Sequence, residues 1–476
     1  MTTNHDDLCR RPAVELAGLL RRRDLSAVEL LDAHLARIAA VNPQLNALVT
    51  ATPDLARAQA QAADAALAQG RWLGPLHGLP VAHKDLVPTR DIRTTFGSPL
   101  YRNFVPDRDA IIIERMRAAG AVTLGKTNTP EFGAGSQTFN PVFGATRNPY
   151  DPTRTCGGSS GGAAVGLATG MFALADGSDS GGSLRNPAAF CNVVGLRPSV
   201  GRVAAWSDRS AWQTLAVEGP MGRTVEDVAL LLSVLAGPDP RAPQSIAEPG
   251  AQFAVPLDAG WRGTPIAWCP DLGGSVPLDP RIAAVLERQR ATFVALGCEV
   301  HDAAPAMDGA DEAFKAFRAW GFELGYGDLL DRHRDQLKDT VIWNIEEGRQ
   351  LTGPQLGRAE RLRTALYHRV REFMERHAFL VLTTTQVPPF DVNLPYPQTV
   401  AGQTMASYID WMQSCYFISI TGLPAISLPA GFTDDGLPVG LQIVGRHRDE
   451  LGVLRLAYAF QQAQPFWRQA PPLTRR

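Results

Sequence analysis

Eleven of the 45 residues from Gly157 to Gly201 are glycine, about three times the average usage of roughly 7 %. Glycine weakens the interior of helices and strands. A chain that concentrates it must need close approach between backbones, or main-chain N–H groups left open to a ligand. Two runs carry the effect, GGSSGG at 157–162 and SGGS at 180–183. In both, paired glycines sit against serine hydroxyls, which favours a functional loop over a simple tight turn. Such a stretch cannot build its own core, so its surroundings must be supplied by elements that are not glycine-rich.

Those surroundings read as alternating helices and strands. Helices are predicted over 12–42 (two of them, the second starting at Leu25-Ser26), 54–69, 109–119 and 162–172, and strongly over 311–377. Strands are predicted at 74–86, at AVTLG after Gly120, at FALAD (172–176), at TPIAWC (264–269) and as a pair within 423–445. The Asp434-Asp435-Gly436 turn separates that pair. This alternation predicts an α/β fold with helices on both faces of a sheet. Residues 177–190 and 237–262 read as connections. At about 150 residues per domain, 476 residues give roughly three domains or one large α/β unit. One long uncharged run, Thr155 to Ala175, has the length of a membrane span. Its six glycines and adjacent serines fit a buried loop and helix instead.

Charge and cysteine content narrow the function. The 46 basic and 48 acidic residues give a net charge of −2, so a surface that grips nucleic-acid phosphates is not expected. The six cysteines form no CxxC pair, and no secretory leader pattern is seen. Reduced thiols and a cytoplasmic location are therefore expected, with no metal, no cofactor and no membrane partner.

Only four of the 46 basic residues are lysine: Lys84, Lys126, Lys315 and Lys338. Arginine stays charged at any working pH, whereas a buried lysine can give up its proton and act as a base. Two motif matches fail on context. Gly120-x4-Gly125-Lys126-Thr127 has the phosphate-loop spacing, but a helix precedes it and a strand runs through it. Gly157-x-Ser159-x-Gly161 has the nucleophile-elbow spacing, but loop residues precede it, and His447 is the sole histidine after residue 400. What remains is Lys84 with the Ser159/Ser160 pair and Ser183. A neutral lysine can activate a serine through a second hydroxyl, and consecutive N–H groups over Gly181 and Gly182 can face an oxyanion.

The quoted runs carry a resemblance. GGSSGG (157–162) followed by DSGGSLRNPAAFCNVVGLRPSVGRV (179–203) resembles the amidase signature family. PLHGLPVAHKDL (75–86), LGKTNTPEF (124–132), LPAISLPAGF and GLPVGLQIVG within 423–445, and LSAVELLDAHLARIAAVNPQLNA (25–47) are similar to it as well. The resemblance spans nearly the whole chain. It implies a single α/β/α domain over 1–476 with a mixed sheet covered by helices. Within it are an N-terminal helical segment (1–70), a signature core (71–236) and a C-terminal part (237–476) that holds the pocket helices (311–420) and closing strands (423–445).

The resemblance also implies a Ser-cisSer-Lys triad of Ser183 as nucleophile, Ser159 as bridge after a cis peptide, and Lys84 as base. The N–H groups of Ser180, Gly181, Gly182 and Ser183 would form the oxyanion hole. The Gly133 carbonyl would face the substrate amide, and Asp179 with Arg185 would brace the loop. The chain departs from the family pattern at Ser178 and Ser180, where threonine is usual, and at Cys156 and Asn192. None of these removes a catalytic hydroxyl or amine. Cys191 is read as packing.

The implied activity is hydrolysis of a carboxylic amide through an acyl-enzyme, with an amide and water as partners. Dimers are common in the family, and no interface is legible in this sequence. Phe314, Phe317, Trp320, Phe322, Tyr326, Trp343, Tyr396, Tyr408, Trp411, Tyr416 and Phe417 suggest as a set an apolar pocket for a small hydrophobic or aryl amide, anilide, ester or carbamate. The alternatives are the glutaminase chain (the A subunit) of a tRNA-dependent amidotransferase, and a non-catalytic binding protein on the same fold.

Overall fold

A computed structural model describes residues 5–474. Residues 1–4 and 475–476, which the expected extents of the N-terminal segment and of the domain include, lie outside the described residues. The centre is one eleven-stranded sheet. In chain order its strands are β1 (Leu48–Ala51), β2 (Pro80–Lys84), β3 (Val122–Thr127), β4 (Leu174–Asp179), β5 (Val194–Arg197) and β6 (Val217–Gly222), then β7 (Pro265–Trp268), β8 (Glu299–Asp302), β9 (Phe379–Thr383), β10 (Ala425–Phe432) and β11 (Pro438–Val444). The spatial order is β1-β3-β2-β4-β6-β5-β10-β11-β9-β7-β8. β2 runs parallel to β3 and β4, and β7 parallel to β8 and β9. The other pairings are antiparallel, so the sheet is mixed. Helices cover it, as the α/β reading expects.

Local signals explain many boundaries. Ser26 and Glu29 form a capping box at the head of helix Ala27–Leu45, where the second N-terminal helix is predicted. Gly125, Lys126 and Thr127 lie in β3, so the phosphate-loop match is strand, not loop. Helix Gly161–Thr169 packs against other backbone because Gly162 has no side chain: a Cβ there would sit 2.4 Å from the Asn128 nitrogen and 2.5 Å from the Ala47 oxygen.

Two readings change. The strand predicted at 172–176 starts at Leu174 and runs to Asp179, so residues 177–179 are strand, not loop. The cause is β6, a strand that local pattern did not announce, which pairs Ser178 with Glu218 and Asp179 with Val217. The helical stretch 311–377 is three helices, Ala310–His333, Asp339–Gln350 and Gly353–Arg376. Thr352 and Gln355 cap the third.

The main core lines both faces of the sheet. Trp411, fully buried, stacks on Phe190 at 6.1 Å and meets Phe390 edge-on at 5.3 Å. A second cluster joins Phe132 to Phe322, Leu329, Leu337, Val341 and Ile345. It seats the helix pair 310–350 over the loop that follows β3. Among the described residues no helix is long and apolar enough to cross a membrane.

Candidate active site

Lys84 ends β2, and parallel pairing sets it beside β4. Its backbone N–H donates to Asp176 Oδ1 at 3.0 Å, while Asp176 Oδ2 lies 2.6 Å from His83 Nδ1. The side chain is fully buried. Its Nζ donates to Ser159 Oγ at 2.7 Å, to Ser178 Oγ at 2.9 Å and to the Ser178 carbonyl at 3.4 Å. All three partners are neutral. Burial therefore pushes the amine down to about 7, while the more distant charges of Asp179, Asp176 and Glu218 pull it partly back. Lys315 shows the contrast, since it sits 2.9 and 2.8 Å from Asp311 and Asp410.

Ser159 follows a cis peptide after Gly158 and is 2 % exposed. Hydroxyls hold the loop from below: Thr138 Oγ1 donates to the Gly157 carbonyl at 2.8 Å and Ser136 Oγ to the Gly158 carbonyl at 2.6 Å. Asn186 Nδ2 donates to Ser136 Oγ at 2.9 Å. The serine pair divides its work. Ser159 meets Lys84, whereas Ser160 ties loops together, its N–H donating to the Ser183 carbonyl at 3.2 Å and its Oγ accepting from the Ser178 N–H at 3.4 Å.

Ser183 is half-buried and opens, with Ser159, Ser178, Ser180 and Gly133, onto one cavity. Its hydroxyl makes no hydrogen bond with Ser159, Lys84 or any other described residue. Asp179 organises the turn. Its carboxylate accepts from Arg185 Nε at 3.0 Å and Nη2 at 2.9 Å, from Arg197 Nη1 at 3.2 Å, from the Gly182 N–H at 2.8 Å and from the Leu184 N–H at 3.1 Å. Burial works to raise this carboxyl, but Arg185 and Arg197 carry it well below the usual carboxylate range. The Gly182 N–H is thus already engaged. The N–H groups of Ser180, Gly181 and Ser183 donate to no described residue. Gly182 has φ +116°, and a Cβ on Gly181 would sit 2.8 Å from Phe314 Cζ.

The cavity has a volume of about 900 Å³. Of the eleven aromatics singled out in the sequence, Phe317, Trp320, Phe322 and Tyr326 line it. Phe314 and Tyr416 stack on each other at 4.3 Å behind Gly181, and Trp411 belongs to the core. Phe96, Tyr101 and Phe132 complete the apolar wall. His447 is exposed beside Tyr367 and does not line the cavity. The buried thiols of Cys156 and Cys191 are pushed up, Cys156 to about 12, burial being the main cause in both.

Four features of the site lie outside the sequence reading. Ser178 Oγ is a second hydroxyl on Lys84, and Arg197 is a second cation on Asp179. Glu218, opposite Ser178 on β6, is pushed up to about 8 by burial and by Asp176, against the pull of Lys84. Its Oε2 is buried and has no hydrogen-bond partner. The loop 207–216 forms one side of the cavity. Its signal was Trp206 and Trp212 in a polar stretch, Trp212 being 72 % exposed.

The profile of the family described as Amidase matches residues 29–454. An acylamidase of Rhodococcus erythropolis is 36 % identical over 465 residues, covering 97 % of this chain and 96 % of that one. The A subunit of the glutamyl-tRNA(Gln) amidotransferase of Geobacillus stearothermophilus is 35 % identical over 483 residues, covering 96 % and 98 %. Among solved structures, a bacterial aryl acylamidase described as belonging to the amidase signature enzymes superposes with a TM-score of 0.92 at 29 % identity, covering 98 % of both chains. The 6-aminohexanoate cyclic dimer hydrolase, complexed with substrate, superposes with a TM-score of 0.87 at 29 % identity, covering 98 % of this chain and all of that one.

Proposed function

The chain belongs to the amidase signature family and hydrolyses amide C–N bonds, and we propose that it does so through Ser183, Ser159 and Lys84. The observation that carries this reading is the 2.7 Å contact between the buried Lys84 Nζ and Ser159 Oγ, at a cavity onto which Ser183 also opens.

In this reading uncharged Lys84 takes the proton of Ser159 as Ser159 takes that of Ser183. The Ser183 oxygen bonds to the carbonyl carbon, and the carbonyl electron pair moves onto oxygen. The N–H groups of Ser180, Gly181 and Ser183 receive that oxyanion, while the Gly182 N–H stays with Asp179 and sets the turn. The Gly133 carbonyl faces the substrate amide. As the C–N bond breaks, the proton returns through Ser159 to the leaving nitrogen. Water, activated by the same pair, then cleaves the ester on Ser183.

We assign the reacting groups to residues 71–236 and the pocket wall to helices within 311–420, with the loop 207–216 reaching across that division. The aromatic walls favour a hydrophobic or aryl acyl amide or anilide. The likeness to the amidotransferase chains supports a second reading, a glutaminase that works with partner chains.

The test is a hydrolysis panel on the isolated chain: aliphatic amides, anilides, esters, carbamates and glutamine. Anilide turnover without ammonia from glutamine supports the first reading, and the reverse supports the second. Ser183→Ala should abolish turnover and labelling by a fluorophosphonate. A Ser183→Ala protein that hydrolyses at the original rate overturns the assignment.

A further inference from the structure

A cation without an acid partner stands in the wall of the reacting cavity. Arg318, on helix Ala310–His333, is 7 % exposed and lines the cavity that Ser159 and Ser183 share. Its Nε donates to Asn344 Oδ1 at 3.2 Å and its Nη2 to the Tyr408 hydroxyl at 2.8 Å. Asn344 is itself fixed, its Nδ2 donating to the Thr340 carbonyl and to the Tyr408 hydroxyl. The guanidinium carbon lies 4.8 Å from the Phe322 ring centre. Nη1 donates to no described residue.

Every partner of this guanidinium is therefore neutral, and the group cannot shed its charge. Burying a cation is costly unless an opposite charge meets it. Two acids of this region, Asp311 on the same helix and Asp410, pair with Lys315 instead, and no carboxylate lies at ion-pair distance from Arg318 among the described residues. The rest of the wall has the same bias. Arg209 donates to the Gly325 carbonyl, and Arg363 to the Ile420 carbonyl and to Thr214. Neither meets a carboxylate at ion-pair distance among the described residues. Glu360, exposed on helix Gly353–Arg376, is the one acid among the lining residues. A wall of three cations and one anion raises the local concentration of anionic ligands.

We infer that the cavity takes an amide bearing a carboxylate, which Arg318 holds through its open Nη1 while the aromatic walls hold the body of the molecule. A planar guanidinium fixed on two sides is preorganised for this task, since little side-chain freedom is lost when the anion arrives. The inference rests on the hydrolase reading above and narrows its substrate.

Two matched pairs of probes test it on the full chain. Glutaryl-4-nitroanilide against butyryl-4-nitroanilide places the carboxylate on the acyl side, and 4-acetamidobenzoate against acetanilide places it on the amine side. The expected result is a preference in kcat/KM for the anionic member of one pair, on the order of tenfold to a hundredfold. In Arg318→Gln that ratio should collapse towards one, whatever the absolute rates do. Arg318→Met, similar in length and apolar, repeats the measurement if the glutamine variant does not fold. A wild-type ratio near one in both pairs overturns the inference, and so does a preference that survives both substitutions.

If no member of either pair is hydrolysed, the anilide reading of the substrate fails separately. Tryptophan fluorescence titration of Ser183→Ala with the same four compounds then decides. Tighter binding of a carboxylate member, lost on removing Arg318, supports the inference, and equal binding within both pairs overturns it.

Discussion

Acidifying the solution from pH 8 to 5.5 should protonate Lys84 and remove the proposed base. An ordinary lysine titrates near 10.4, so at pH 7 roughly one amine in a few thousand would be neutral. Lys84 is pushed down to about 7, which leaves about half of the amines neutral there, a gain on the order of a thousandfold. The sign follows from the direction of that shift. The amine is charged below about 7 and neutral above it, so activity rises with pH and then levels off. At pH 5.5 only about 3 % remains neutral, and each further unit of acid costs about tenfold.

The assay is the initial rate on 4-nitroacetanilide between pH 5.5 and 9, taken as kcat/KM. A logarithmic plot should climb with unit slope up to about pH 6.5 and be flat above about 7.5. Glu218 titrates in the same region, near 8, so Glu218→Gln is the control: the acid limb should persist in it. Lys84→Arg keeps a positive charge but not the ability to accept a proton, and should lose at least on the order of a thousandfold in kcat. A flat profile, a limb that disappears in Glu218→Gln, or a Lys84→Arg enzyme within tenfold of the original would refute the assignment of Lys84 as base.

Three further outcomes follow from the geometry. Ser178→Ala deletes one of two hydroxyls on Lys84 and should lower kcat by about tenfold with little change in KM, read from steady-state kinetics. Asp179→Asn leaves Arg185 and Arg197 buried without their counter-charge, and should cost about 3–5 kcal/mol in denaturant unfolding. An Asp179→Asn protein of unaltered midpoint would remove the account of that turn. Trp411→Ala opens a hole between Phe190 and Phe390 and should cost about 3–5 kcal/mol, visible as a lowered midpoint in the same experiment.

Much of this protein was readable in local chemistry. The capping box at Ser26, the turn at Asp434-Asp435-Gly436, the paired glycines at 157–162 and 180–183, and the scarcity of lysine all express short-range demands. A residue's allowed backbone angles, its nearest hydrogen-bond partners and its ability to lose a proton are properties of a few neighbours in sequence. They were enough to single out Lys84, the Ser159/Ser160 pair and Ser183 and to predict helices around a sheet; the family resemblance, not local chemistry, chose Ser159 from the pair.

What sequence could not supply were relations between segments far apart in the chain. β6 pairs across some forty residues with β4, and only that pairing puts Glu218 opposite Ser178 and extends β4 to Asp179. Arg197 reaches Asp179 from β5, and the loop 207–216 meets helix Ala310–His333 across the cavity. The same holds for the electrostatics. Lys84 falls to about 7 because folding strips its water and offers only neutral hydrogen-bond partners, and Arg318 stands without an acid at ion-pair distance among the described residues while Asp311 and Asp410 pair with Lys315. Desolvation is a property of the assembled interior. It has no local code, and so tertiary structure alone decided which charges this site would hold.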